Sequence, residues 1–207
     1  RATRWVFLIG VLSISGIPGL AGFFSEDETL VAAYSTHVPG HMWLYGIGLV
    51  TAGITSFYMF RLFFRIFLGE CRAPVATRDH IRDPGNLVRV PLLVLAVLSV
   101  IGGYFGLPQV WGDLIEIENS NSLANFLAPM LAATEAQHLD HSTEYWMALS
   151  AVAISTAGGG LAWLLYVKRP ELPARLATQM SVVHRTLVNK YYLDEIYDAV
   201  FVRPLVA

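Results

Sequence analysis

Residues Trp5–Glu28 read WVFLIGVLSISGIPGLAGFFSEDE, and this stretch decides how the rest of the chain is read. No charged side chain occurs between Trp5 and Phe24, a run close to the ~20 residues that a helix needs to cross a bilayer core. Yet Gly16, Pro18, Gly19 and Gly22 crowd into its middle. Proline removes a backbone donor and clashes with the preceding turn, while glycine loosens a helix. In lipid an interrupted backbone survives only where it is buried in protein or lines a hydrated cavity. Apolar character resumes from Thr29 to Tyr34, so the expectation is one discontinuous spanning helix over 4–36. Transporters place ion sites at breaks of this kind.

Working outward, three further apolar stretches appear: 42–68, with Arg61 and Arg65 inside it, then 90–107 and 145–167. Hydrophobic residues make up 55% of the chain and charged residues 14%, against roughly 25% charged in soluble domains. The mean hydropathy is +0.51. A soluble chain this apolar would expose large adhesive patches. The fold class expected is therefore an all-α membrane protein of several transmembrane helices, the first one discontinuous. A net charge of −2 gives no electrostatic footprint for nucleic acid. Cys71 is the single cysteine, so no internal disulfide can form. The chain opens on Arg1 without a methionine and stops shortly after Arg203-Pro204, which suggests a fragment of something longer.

Lys and Arg in the connections predict the orientation. The 69–89 segment carries Arg72, Arg78, Arg82 and Arg89, and Lys168, Arg169, Arg175, Arg185 and Lys190 follow the last span. The turn from His37 to His41 has no Lys or Arg. The 108–144 connection has none either, only acids such as Asp113, Glu116, Glu118, Glu135, Asp140 and Glu144. Basic and non-basic connections alternate, as four crossings require. This places 69–89 and the 168–189 connector on the cytoplasmic side and 108–144 on the outer side. From Lys190 to Ala207, Tyr192, Leu193, Ile196, Val200 and Phe201 recur at helical spacing among charged residues. That pattern describes an amphipathic helix lying along a membrane or protein surface.

The chemistry concentrates at the end of the broken helix. Ser25 with Glu28 three residues on has the form of a capping box for a second half-helix. Glu26 and Asp27 would then sit in its first turn, where the helix dipole favours anions. Two readings stand at this point. Trp5–Phe24 alone could span, leaving Ser25–Glu28 as an ordinary acidic helix start at the outer surface. Alternatively Glu26 or Asp27 lies at mid-depth, where a charge costs ~2.5–3.5 kcal/mol on insertion scales, and exchanges a proton near neutral pH. Arg61 and Arg65, four apart near a helix end, suit snorkelling to headgroups, with Arg61 as counter-charge to the broken helix the alternative. His138, Asp140, His141 and Glu144 lack the surroundings of a metal site, and no metal is expected. Trp43, Tyr45, Tyr104, Trp111, Trp146 and Trp163 fall near span ends and read as an interfacial belt. No phosphate loop, cysteine cluster or Ser/His/Asp arrangement occurs, so no nicotinamide, flavin or iron–sulfur cluster is expected in this chain.

The stretch FLIGVLSISGIPGLAGFFSEDETL, residues 7–30, resembles the broken twelfth helix of the subunit L family of respiratory NADH:quinone oxidoreductases, whose usual form is close to GIPPFAGFFSKDEIL. TSFYMFRLFFRIFLGE, residues 55–70, resembles that family's next helix, and YYLDEIYDAVFVRP, residues 191–204, the start of its long lateral helix. The resemblance spans nearly the whole chain and is weakest over 108–144. It implies the C-terminal third of a proton-translocating, antiporter-like membrane subunit. NADH, FMN, iron–sulfur clusters and quinone would belong to partner subunits, and the other membrane-arm subunits and the bilayer would be the partners. The implied location is the inner membrane of a bacterium, with a mitochondrial or other energy-transducing membrane as the alternative. In the family a lysine of the broken helix exchanges protons; here Glu26 stands at that position and Asp27 matches the neighbouring aspartate. The family also carries an arginine at the Arg61 position. The alternatives are the large subunit of a multisubunit cation/proton antiporter, a non-pumping anchor for the lateral helix, or a relative linked to a hydrogenase or another dehydrogenase.

Overall fold

The computed structural model describes residues 2–36, 38–69, 71, 74–78, 84–114, 120–130 and 139–206. All regular structure among them is helical. Two units are distinguished, residues 1–167 and 168–207.

In the first unit the long apolar runs become helices: α1 (Ala2–Ile14), α2 (Ala21–Ser35), α3 (His41–Phe67), a single turn α4 (Val75–Arg78), α5 (Asn86–Ile101), the short α6 (Gln109–Leu114) and α7 (Ser122–Leu127), and α8 (His141–Trp163). α5 continues as a 3-10 turn, Gly102–Gly106, and α8 as a π-helical turn, Leu164–Lys168. Three continuous helices, His41–Phe67, Asn86–Gly106 and His141–Lys168, are long and apolar enough to cross a membrane. The 13 residues of α1 and the 15 of α2 are each too short for that, at ~1.5 Å per residue, but in series they cover such a distance. The molecule is an all-α membrane protein.

Its burial pattern has the character that a lipid solvent imposes. Large apolar side chains such as Trp43, Ile47, Val94 and Leu149 point outward, while much of the buried set is small: Ala52, Ser56, Ala96, Ala148, Ala151, Ser155 and Ala162. Lipid tails compete with Leu and Ile for apolar contact, so helices in a bilayer associate through small residues that let backbones approach. α3 and α8 do this. A Cβ on Gly158 would collide with the carbonyl oxygen of Gly53, and one on Gly159 would press into the Phe60 ring. At the same level the Ser56 hydroxyl donates to the Ser155 carbonyl at 2.6 Å. Further along, Tyr45 Oη and Ser150 Oγ lie 2.8 Å apart. Tyr45, read from the sequence as an interfacial belt residue, is thus tied to the neighbouring helix.

The 108–144 connection contains α6 and α7, with 115–119 and 131–138 outside the described residues. His37, Arg72, His80, Arg82, Glu116, Glu118, Glu135 and His138 also lie outside them. In the second unit the segment expected as a plain connector is helical, with α9 (Glu171–Gln179) and α10 (Ser181–Val188) separated at Met180. The amphipathic helix expected from Lys190 begins later. Lys190, Tyr191 and Tyr192 adopt left-handed φ values of 52°, 58° and 56°. Regular turns then run through α11 (Leu193–Tyr197), the π-helical Asp198–Val202 and α12 (Arg203–Val206). Exposed ion pairs Lys190–Asp194 at 3.1 Å and Arg203–Asp198 at 2.9 Å decorate it and contribute little stability at such exposure.

Candidate functional site

The break between α1 and α2 is built from two glycine turns. The Gly16 N–H bonds the Ser13 carbonyl at 3.2 Å and the Ile17 N–H bonds the Leu12 carbonyl at 3.2 Å. Gly16 itself has φ +63°. That is a Schellman stop, with a left-handed glycine just past the helix and proline shortly after it. Pro18 and Gly19 then occupy the centre of a turn closed by the Leu20 N–H on the Ile17 carbonyl at 3.4 Å. Gly19 has φ +86°, the conformation a type II turn requires after proline. Gly22 plays another part. It lies inside α2, and a Cβ there would collide with the Ser13 carbonyl, so it lets the two half-helices cross backbone to backbone.

The helix restarts earlier than the capping-box reading of Ser25 and Glu28 allows. Leu20 is the N-cap residue, without a side-chain cap bond, and α2 runs from Ala21. One of its first-turn donors is met from across the break, where the Gly22 N–H donates to Ser13 Oγ at 3.3 Å. Ser25 is an interior helix residue whose hydroxyl turns back to the Gly22 carbonyl at 3.1 Å. Glu28 accepts instead from Asn121 Nδ2 at 2.9 Å. The cap assignment and the first-turn placement of Glu26 and Asp27 are both corrected: the two acids lie in the second turn. The physical reason is that the Pro18-Gly19 turn already delivers an extended residue at Leu20, so a helix can start there.

Glu26 and Asp27 face different surroundings from the same turn of α2. The half-buried Glu26 reaches back to the break, its carboxylate filling the space a Cβ on Gly16 would need. It has no hydrogen-bond partner among the described residues. Asp27 is 7% exposed. Its Oδ2 accepts from the indole N–H of Trp111 at 2.9 Å, and its Oδ1 is buried without a partner among the described residues. Trp111 is held edge-on against Phe23 and Tyr145, with ring centroids 5.4 and 5.8 Å away. Phe23, Phe24, Leu107 and Ala148 form the buried apolar cluster beside it. Tyr104 packs on Phe24 and donates to the Gly19 carbonyl at 3.2 Å, bracing the turn from outside.

Beyond Asp27 opens a cavity of about 580 Å³ between α2, α6, α7 and α8, of mixed lining, to which Asp27, Glu28, Asp113, Asn121, His141 and Glu144 contribute polar groups. The described residues contain no group of His, Cys, Asp or Glu arranged to hold a metal ion. Arg61 is elsewhere: its guanidinium lies over the Tyr166 ring, 5.2 Å from the centroid. No hydrogen bond or ion pair among the described residues joins it to Glu26 or Asp27. Arg65 is exposed in the last turn of α3.

Sequence reasoning brought Glu26, Asp27, Gly16, Pro18 and Gly19 to one place but missed Ser13, Tyr104, Trp111 and Asn121. Tyr104 and Trp111 read from the sequence as an interfacial belt; in the structure the exposed Tyr104 hydroxyl donates to the Gly19 carbonyl and the Trp111 indole N–H to Asp27. The available signal was chemical. A tryptophan N–H in an apolar setting needs an acceptor, and a buried acid needs a donor.

Residues 1–55 match the family described as NADH:quinone oxidoreductase/Mrp antiporter, TM. Along 97% of its length the chain is 36% identical to NAD(P)H-quinone oxidoreductase chain 5 of Picosynechococcus sp., covering 31% of that protein. It is 33% identical over 97% of its length to NADH-quinone oxidoreductase subunit L of Neisseria meningitidis serogroup A, covering 32% of it. To subunit L of Rhodobacter capsulatus it is 27% identical over 95% of its length, covering 34% of that subunit. The chain is thus similar along nearly its whole length to part of the subunit L/chain 5 proteins of NADH:quinone oxidoreductases, and its first 55 residues match the antiporter-like membrane family. It spans about a third of the length of these curated relatives.

Proposed function

We propose that this chain is the part of a proton-translocating subunit that carries its last exchange step, and that Glu26 is the group that takes up and gives off the proton. The observation that carries the reading is the placement of Glu26. A carboxyl just past the uncharged run Trp5–Phe24 sits against the Gly16 turn of a broken helix, with no hydrogen-bond partner among the described residues. A chain break in lipid requires protein or water around its free backbone groups, and a carboxyl beside such a break has a hydrated route for a proton. Gly16 and the Pro18-Gly19 turn make the break, Ser13 ties its two sides together, Tyr104 braces the turn, and Asp27 continues from Glu26 toward the cavity. Arg61, stacked on Tyr166, acts at the far end of α3 and not as partner to Glu26.

The driving reaction, quinone reduction by NADH, belongs in this reading to partner subunits, which would hold the FMN, the iron–sulfur clusters and the quinone. Other membrane-arm subunits would pack on the exposed apolar faces. The helix from Leu193 would continue along the membrane surface to brace them, on the cytoplasmic side of a bacterial inner membrane, as the basic connections predict. The family description also covers Mrp antiporters. The quinone oxidoreductase reading is favoured because these relatives match along 95–97% of the chain.

The test is NADH-driven proton pumping in membrane vesicles carrying the full-length subunit in its assembled complex, comparing wild type with Glu26→Gln. The expected result is a large fall in pumping with assembly unchanged. Unchanged pumping and turnover would make the acidic pair scaffold and leave the chain an anchor for its lateral helix.

A further inference from the structure

Asp27 stands between two compartments of the fold. On its own helix the preceding residue, Glu26, faces the break at Gly16. On its other side lies the cavity whose wall includes Glu28, Asp113 and Glu144. The only side chain among the described residues that hydrogen-bonds Asp27 is Trp111, through one carboxylate oxygen. The other oxygen is buried and has no hydrogen-bond partner among the described residues. A buried polar atom without a partner is costly, and in a native fold it calls for an explanation such as a catalytic role or bound water. Trp111 is itself mounted on a short helix, α6, in the connection between two spans, and is positioned by ring contacts to Phe23 and Tyr145.

We propose that Trp111 is a positioning residue that latches Asp27, separating Glu26 from the acidic cavity except when a proton is released. This rests on the reading of Glu26 given above. With the indole N–H on Oδ2, Asp27 is held at the cavity wall as a fixed anion, and no protonated carboxyl links Glu26 to the cavity. When Asp27 accepts a proton from Glu26, it no longer needs the indole donor as strongly, because a neutral carboxyl accepts a weaker hydrogen bond than a carboxylate. Asp27 then turns, passes the proton to water in the cavity, and returns as the anion to Trp111. One proton enters and one leaves, and no other species is consumed. The acidic wall keeps the cavity attractive to the departing cation.

The latch makes a prediction distinct from that of a packing residue. Trp111→Phe keeps the ring between Phe23 and Tyr145 and deletes only the N–H. In vesicles carrying the assembled complex without NADH, a pH jump should then collapse several-fold faster than in wild type, as protons leak back through an unlatched Asp27. Adding Asp27→Asn should abolish that extra leak, since an amide cannot carry the proton. Asp27→Asn alone still accepts from Trp111, so it should assemble, lose NADH-driven pumping and show no leak. The proposal is overturned by a Trp111→Phe variant that is as proton-tight as wild type, or by a leak that persists with Asp27→Asn, which would be a packing defect. It is overturned equally by an Asp27→Asn variant that pumps normally, a result that stands even should Trp111→Phe fail to assemble. Glu26→Gln measured alongside separates the two levels: if it stops pumping while these outcomes fail, the latch alone is wrong; if it too is silent, the proton-path reading falls with it.

Discussion

Replacing Gly16 or Gly19 by alanine tests whether the position of the Glu26 carboxylate matters, because the two substitutions share one cost and differ in another. Both glycines hold left-handed backbone, with φ +63° and +86°. An L-residue in that conformation loses roughly 1–2 kcal/mol, so both variants should weaken the turn alike, by about 5- to 30-fold in its local opening equilibrium. The surroundings differ. At Gly19 the nearest atom to a new Cβ is the Tyr104 hydroxyl at 3.8 Å, an ordinary contact. At Gly16 the Cβ enters the space of Glu26 Oε2. The Glu26 side chain is unbranched, so it yields by rotating, and the fold survives while the carboxylate moves. A shift on the order of 1 Å restores contact, and displacements of that size can lower a rate by about 10²-fold. Gly16→Ala should therefore assemble as well as Gly19→Ala but pump at least about tenfold more slowly. The assay is NADH-driven acidification per assembled complex, quantified on native gels. Equal pumping by the two variants would refute the argument, since only the collision with Glu26 distinguishes them.

Other consequences follow from the packing. Ser13→Ala removes the acceptor of the Gly22 N–H; losing such a cap costs ~1 kcal/mol, and hydrogen exchange over residues 20–24 should speed up about fivefold, whereas unchanged protection would show that water replaces the hydroxyl without loss. Gly158→Ala drives a Cβ into the Gly53 carbonyl, which cannot rotate away, and should destabilise the α3–α8 pair by about 1–3 kcal/mol. Gly160, with nothing within 4 Å of its Cβ position, should accept alanine with no loss. Thermal aggregation of the solubilised complex distinguishes the pair, and equal melting would remove close backbone approach as the basis of α3–α8 packing.

The sequence alone determined the class of this protein and the sites of its interruptions. Four apolar runs, alternating basic and acidic connections, and Gly16-Ile17-Pro18-Gly19 inside one of the runs are statements about solvent and local backbone. Both act on residues close together in the chain, so they can be read without a fold. In the structure α3 is His41–Phe67, α5 Asn86–Ile101 and α8 His141–Trp163, the last two beginning ahead of the apolar runs that start at 90 and 145. What the sequence left open was every pairing across distance. The capping-box pattern at Ser25 and Glu28 is a valid local signal, but the turn at Pro18-Gly19 starts the helix first and leaves Glu28 to Asn121, 93 residues on. The donor to Asp27 comes from Trp111, 84 residues away, and the helix end of Arg61 is answered by Tyr166. Only the tertiary structure settles such partners, because a buried hydrogen bond is directional and short, and many side chains of suitable chemistry compete for it until packing brings one of them within reach.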